Sequence, residues 1–247
     1  MSHMGEIGKQ ELGVVPTPTV RRIHEMLDAG LAEGRSVIVS AKGGTGKTTA
    51  LETWRAKFEP GETVALTVAA GEGGWKDVAR AVCSAFRVSC NSSAPPEWRR
   101  KLATEIEIAW PRKGFVTLDE GQNATPQAVE WLCTALHDAG LPFALVGDER
   151  LPVRLKELVE TRRNGRFLPP LILRGAERGD VRALADAAGL RDPKALAVLN
   201  RVAEHGSGLR DVVAVLETAA VAAGGAAMSQ EHVTWAIREC GLSFNTL

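Results

Sequence analysis

Residues 41 to 48 read Ala41-Lys42-Gly43-Gly44-Thr45-Gly46-Lys47-Thr48, three glycines followed by a lysine and a hydroxyl. The run keeps the phosphate-loop spacing GxxxxGK[ST] except at its first position, where Ala41 replaces Gly. Each residue type has a job in that pattern. Gly43, Gly44 and Gly46 let backbone N–H groups turn inward around an anion. A helix starting after the loop directs its positive end at the same place. Lys47 reaches the β and γ phosphates, and the Thr48 hydroxyl ligates a divalent cation. Thr45 and Thr49 belong to the same expected nucleotide-binding set, so ATP and Mg2+ are the expected cofactors. The other half of such a site is an acidic pair at a strand end. Phe115-Val116-Thr117-Leu118-Asp119-Glu120 supplies it, 71 residues after Thr48. Asp119 is expected to hold Mg2+ through water, and Glu120 to polarise the attacking water as general base.

These groups need strands and helices to position them. Apolar spacing at Ile23, Leu27 and Leu31 predicts a helix over 20–33, ending near Gly34. Short apolar runs predict strands at 36–40, 63–68, 115–118, 143–146 and 171–173. Helical patterns fall between them at 48–58, 75–86, 97–109 and 126–139. Such alternation implies a parallel sheet covered on both faces, an α/β fold. After about residue 175 strand signals stop, and Ala-rich helical stretches follow at 178–188, 193–205, 208–223 and 229–239. The expected division is an N-terminal segment and helix over 1–34, an α/β ATPase domain over 35–174, and a small all-α domain over 175–247. Trp54, Trp110, Trp131 and Trp235 are expected to fill core.

Composition narrows the class. Lys and Arg total 30 against 30 Asp and Glu, so bulk charge does not suit a chain wrapped in nucleic acid. The distribution is uneven: residues 114–149 hold six acids and no Lys or Arg, while 150–174 hold seven basic residues and two acids. No apolar run approaches the ~20 residues of a membrane span, and the N-terminus has no apolar leader core. A cytoplasmic protein with reduced thiols is expected, with no membrane contact. Cys83, Cys90, Cys133 and Cys240 form no CxxC pair.

Two families carry a similar loop. Lys42-Gly43-Gly44-Thr45-Gly46-Lys47-Thr48-Thr49 resembles the phosphate loop of ParA/MinD-type partition ATPases, in which the first lysine acts across a dimer. That family places an Asp at the end of the second strand and lacks a helical lid. Here the strand ends Thr67-Val68-Ala69-Ala70. The chain as a whole resembles the AAA+ ATPases of DNA transposition, those of Mu-like phages above all, from about residue 14 to 240. Val14-Val15-Pro16-Thr17-Pro18 is similar to their adenine-contacting segment. Leu118-Asp119-Glu120-Gly121-Gln122 is similar to their acidic box, and Phe143-Ala144-Leu145-Val146-Gly147-Asp148 to their sensor-1 strand. Gly165-Arg166-Phe167 stands where the group carries an arginine finger, and Gly206-Ser207-Gly208-Leu209-Arg210 where it carries the sensor-2 segment of its lid.

The resemblance implies a role for each matched residue. Val14 and Val15 touch the base. Arg166, with Arg162 and Arg163 as rivals, acts on the nucleotide of a neighbouring subunit, and Arg210 reaches the nucleotide of its own. Asp148 departs from the neutral residue usual at sensor 1, so slow hydrolysis is expected unless a basic group pairs with it. Few residues precede Val14, so DNA contact is expected from the ATPase body rather than from the helix-turn-helix module of longer members. Lys76 is the first candidate, and Arg99, Arg100 and Lys101 the second, short basic clusters able to touch phosphates without reading bases. The resemblance thus implies a DNA-binding ATPase that assembles as a filament or ring on double-stranded DNA of any sequence and delivers it to a transposase in the bacterial host cell. The alternatives are a partition-type ATPase and a nucleotide-gated interaction module without DNA.

Overall fold

The computed structural model describes residues 13–89, 95–109, 114–161 and 166–242. Five strands form one parallel sheet: β1 (Val37–Ala41), β2 (Thr63–Thr67), β3 (Phe115–Asp119), β4 (Phe143–Gly147) and β5 (Leu171–Leu173). Their order is β2-β3-β4-β1-β5. Every residue of β1, β3 and β4 is buried, as suits near-continuous apolar strands in the middle of a covered parallel sheet. The edge strands β2 and β5 alternate between exposed and buried or are short. Because β4 lies between β1 and β3, the ends of three strands stand side by side: Ala41, Asp119 and Gly147.

Among the described residues, six α-helices precede β5: α1 (Pro18–Glu33), α2 (Lys47–Arg55), α3 (Trp75–Ala85), α4 (Pro95–Ala109), α5 (Pro126–Asp138) and α6 (Leu151–Thr161). Four more follow: α7 (Arg178–Ala187), α8 (Pro193–His205), α9 (Leu209–Ala223) and α10 (Gln230–Glu239). Helix α6 was not anticipated. Its charged residues read as a basic run, yet Leu151 and Leu155, one turn apart, are buried while Lys156 and Glu157 are exposed.

The chain packs as two compact units. One comprises the described residues of 22–41 and 47–174, with its core between the sheet and α3, α4 and α5. The other comprises the described residues 13–21, 42–46 and 175–242, with a core drawn from α7 to α10. In that second unit, buried Asp180 accepts hydrogen bonds from the Thr19 backbone N–H and hydroxyl, each at 2.8 Å. The N-terminus of α1 is thereby tied to that of α7. Of the tryptophans expected in the core, Trp54 and Trp131 are buried. Trp235 is not: it is 45% exposed on α10, because Val233, Ala236 and Ile237 take the inner face of that helix. Trp110 lies outside the described residues. Cys83 and Cys133 are buried, and Cys90 lies outside the described residues. None of the described helices is long and apolar enough to cross a membrane.

The contact between α1 and α2 is pH-sensitive. His24 Nε2–H donates to the Ala50 carbonyl at 2.9 Å and lies 3.1 Å from the Thr53 hydroxyl. Burial, with Lys57 adding to it, lowers the His24 pKa against the raising influence of Ala50 and Asp28. The unfolded chain therefore binds the proton more readily, so stability is full above the ordinary histidine value and falls on acidification. The ring is part-exposed, so the effect is small. The melting midpoint should drop by a degree or two, roughly, between about pH 7.5 and 5.5 beyond any drop in His24→Asn. Equal drops in the two proteins would exclude His24 as the cause.

Candidate nucleotide site

Within the sheet unit, the side chains expected to do chemistry meet at the carboxyl ends of β1, β3 and β4. Lys47 opens α2, and its Nζ donates to the carbonyl of Ala41, the last residue of β1, at 2.8 Å. Burial lowers the Lys47 pKa, against the raising influence of Asp119, Glu120, Asp148 and Glu149. One residue on, the Thr48 hydroxyl donates to Asp119 Oδ2 at 2.7 Å. Asp119 is only 7% exposed at the end of β3. Its other oxygen accepts the Glu120 N–H at 2.8 Å. Glu120 itself is exposed and has left-handed backbone, φ 55° and ψ 33°, which is uncommon for a residue other than glycine. Asp148 follows β4, and its carbonyl accepts the hydroxyl of Ser40 on β1 at 2.9 Å.

Asp148 is paired with a basic group, which answers the sequence-level concern about its charge. Arg150 Nη2 lies 2.6 Å from Asp148 Oδ2, and the Arg150 N–H donates to Oδ1 at 2.9 Å. Burial raises the Asp148 carboxyl, but the hydrogen bonds and charge of Arg150, with Lys47 beyond, outweigh it and hold the group below the ordinary aspartate range. The sequence reading gave Arg150 no role. Its signal was available: a cation two residues after an acid at a strand end.

The glycine-rich loop itself, residues 42–46, packs in the helical unit. Leu209 N–H, at the start of α9, donates to the Gly44 carbonyl at 2.7 Å. A Cβ on Gly44 would come within 1.7 Å of the Ser207 carbonyl, and the residue has φ +72°, so no other residue fits there. The Thr45 hydroxyl donates to the Lys42 carbonyl at 3.0 Å, closing the turn. In the same unit Val15 packs against the helical core, Val14 is 62% exposed, and Arg210 is exposed in the first turn of α9. Gly43 and Gly46 complete the loop, and the next residues along the chain are Lys47, Thr48 and part-buried Thr49.

The donor set fits a magnesium nucleotide. A hydroxyl and a carboxylate already in contact, Thr48 and Asp119, are hard oxygen donors of the kind Mg2+ takes while keeping several waters and substrate oxygens. The half-buried Lys47 ammonium supplies the cation that a phosphate would meet.

Two groups of expected site residues lie elsewhere in the sheet unit. The Arg166 carbonyl accepts the N–H of Ser36, just before β1, and Phe167 bridges to Ser36. Arg166 thus sits at the amino end of the sheet, and its guanidinium lies 4.0 Å from Asp138 at the end of α5. Arg162 and Arg163 lie outside the described residues. The helices that carry the two basic clusters touch through an aromatic pair: Trp75 at the start of α3 and Trp98 on α4 pack with ring centroids 5.9 Å apart. Lys76 Nζ lies 5.7 Å from the Trp75 ring centroid. Arg99, Arg100 and Lys101 follow Trp98 directly, and Lys101 pairs with Glu97 at 3.1 Å.

Residues 31–155 match the family model of the AAA domain, and residues 166–240 match that of the Mu B transposition protein, C terminal. Over 202 residues the chain is 24% identical to the Mu-like prophage FluMu DNA transposition protein B of Haemophilus influenzae, covering 79% of this chain and 69% of that protein. Among solved structures, CDC6P from Pyrobaculum aerophilum superposes with a TM-score of 0.67 at 15% identity, covering 96% of this chain and 69% of that one. The Aeropyrum pernix ORC1 protein in complex with DNA gives 0.61 at 18%, covering 93% and 67%. The Thermotoga maritima RuvB Holliday junction branch migration motor gives 0.57 at 14%, covering 91% and 70%. At these identities the structural likeness speaks for the fold.

Proposed function

As the chain belongs to the AAA domain family, we propose that it is an ATPase that binds ATP and Mg2+, assembles on double-stranded DNA, and delivers that DNA to a transposase, which it stimulates. The observation that carries the reading is the meeting of Lys47, Thr48, Asp119, Glu120 and Asp148 at three adjacent strand ends, where ligands of open parallel sheets bind. Lys47 and the loop before it bind the phosphates. Thr48 and Asp119 hold Mg2+, which when bound neutralises phosphate charge. Glu120 takes the proton of the attacking water. Asp148, neutralised by Arg150, keeps the end of β4 in place beside it. Val14 and Val15 contact the base, and Arg210 adds a cation. Arg166 serves the site of a neighbouring copy. The family assignment favours the AAA+ reading of the loop over the partition-type one.

The transposition role rests on the match over 166–240 and on the prophage relative. Contact with DNA rests on basic residues beside the packed Trp75–Trp98 pair, Lys76 next to one ring and Arg99, Arg100 and Lys101 following the other in sequence. The protein is incubated with duplex DNA and ATP, ADP or no nucleotide, and the products are viewed by electron microscopy. Filaments or rings are expected with ATP alone. Monomers under every condition would remove the assembly from the account. Lys76→Ala should weaken duplex binding equally on unrelated sequences and lower the salt-dependence slope by about one, the signature of one lost phosphate contact. An unchanged slope would move the interface elsewhere.

A further inference from the structure

Three bonds converge on Gln122, which is buried in the short 3-10 turn after the acidic pair. Its Nε2 donates to Glu120 Oε2 at 2.5 Å. Its Oε1 accepts the Asp148 N–H at 3.1 Å. Its backbone carbonyl accepts the guanidinium of Arg154 on α6. The amide orientation is forced: a backbone N–H meets only an acceptor, so the oxygen faces Asp148 and the NH2 must face Glu120. The fold makes room for this side chain. Gly147 ends β4, and a Cβ there would come within 2.5 Å of Gln122 Oε1 and 3.0 Å of the Gln122 nitrogen. Glu120 needs such a support, because its backbone is left-handed and its carboxylate is exposed.

We propose that Gln122 is the positioning residue of Glu120, restraining Oε2 so that the other oxygen faces water, and fixing that restraint to the end of β4 through the Asp148 amide. The inference rests on the reading of Glu120 as general base. It adds a route by which a shift of β4 at Asp148 alters the base directly, since one amide group holds both. Arg154 anchors the same residue from α6, so three elements bear on one carboxylate.

The test begins on the nucleotide-free protein. With 15N-labelled glutamine, the side-chain amide signal that disappears in Gln122→Ala should exchange slowly with solvent and should move in Glu120→Ala. A fast-exchanging signal indifferent to Glu120→Ala would overturn the proposal. With ATP, Gln122→Ala and Gln122→Glu should lower kcat about tenfold or more while the dissociation constant for a fluorescent nucleotide stays within about twofold. Gln122→Glu keeps the volume and the acceptor for Asp148 but sets a like charge against Glu120, so its loss should be at least as large. In a Glu120→Gln background, Gln122→Ala should change the residual rate no further. If Glu120→Gln hydrolyses ATP normally, the base assignment fails and the inference goes with it. If Glu120→Gln is inactive but both Gln122 variants turn over at the unaltered rate, the positioning role alone fails. A parallel loss of nucleotide affinity, kcat and melting midpoint would mark Gln122 as structural support and overturn it too.

Discussion

Lys47→Ala should abolish measurable nucleotide binding, whereas Glu120→Gln should bind nucleotide as the unaltered protein does and hydrolyse it at least about a hundredfold more slowly. The two substitutions sit within one constellation but change it differently. Lys47 is the cation set among Asp119, Glu120, Asp148 and Glu149. Removing it leaves a cluster of carboxylates facing a polyanion, with Arg150 paired to one of them. A charge-assisted phosphate contact is lost and repulsion is uncovered, so affinity should fall by about two orders of magnitude or more. Glu120→Gln keeps shape, keeps an oxygen to accept from Gln122, and removes one negative charge. Only proton acceptance is lost, so the ATP-bound state and its assembly on DNA should persist. Titration with a fluorescent nucleotide, phosphate release and electron microscopy on one set of samples separate the cases. If Lys47→Ala bound ATP with undiminished affinity, the phosphate site would lie elsewhere. Normal turnover by Glu120→Gln would place the base on another group.

Much of this was legible in the chain before folding, and for identifiable reasons. The strands at Val37–Ala41, Phe115–Asp119 and Phe143–Gly147 are short apolar runs bounded by turn residues, and all are buried centrally. The four helices after residue 175 carry regular apolar spacing, and their bounds follow it closely. What the sequence could not order was the sheet. Adjacency of β4 to both β1 and β3 is a nonlocal outcome, and it is this adjacency that brings Asp148 beside Lys47. Helix α6 was masked by its charges, since two buried leucines one turn apart are a faint period beside a basic run. Gln122 and Arg150 were missed as working residues for a related reason. Their partners, Glu120 and Asp148, are two residues away in sequence, but a left-handed residue and the close approach at Gly147 decide which way those partners face. The packing of residues 42–46 against Ser207 and Leu209 was equally hidden, because it joins segments more than 160 residues apart.

Arg166→Ala should lower hydrolysis by about a thousandfold, and mixing it with Glu120→Gln should restore activity that neither protein has alone. The geometry of a single copy requires this pattern if Arg166 is to act at all. Its carbonyl is bonded to Ser36 at the amino end of β1, while Lys47 bonds to Ala41 at the carboxyl end. The five residues of β1 between them, at ~3.3 Å each, span about 16 Å. That is farther than a guanidinium anchored at Arg166 reaches, so a copy cannot complete its own site with this residue. In a mixed assembly, an Arg166→Ala copy keeps an intact Lys47, Asp119 and Glu120, and its Glu120→Gln neighbour, which still binds ATP and assembles, still offers Arg166. Half of the junctions between unlike copies therefore contain every group, and turnover returns at those junctions. Were the arginine to act within its own copy, each partner would lack one group of the same site and the mixture would stay silent. Phosphate release measured across mixing ratios, with peak activity near equal parts, tells the two apart. Hydrolysis by Arg166→Ala alone at the unaltered rate would instead hand the role to another cation, Arg162 or Arg163 first.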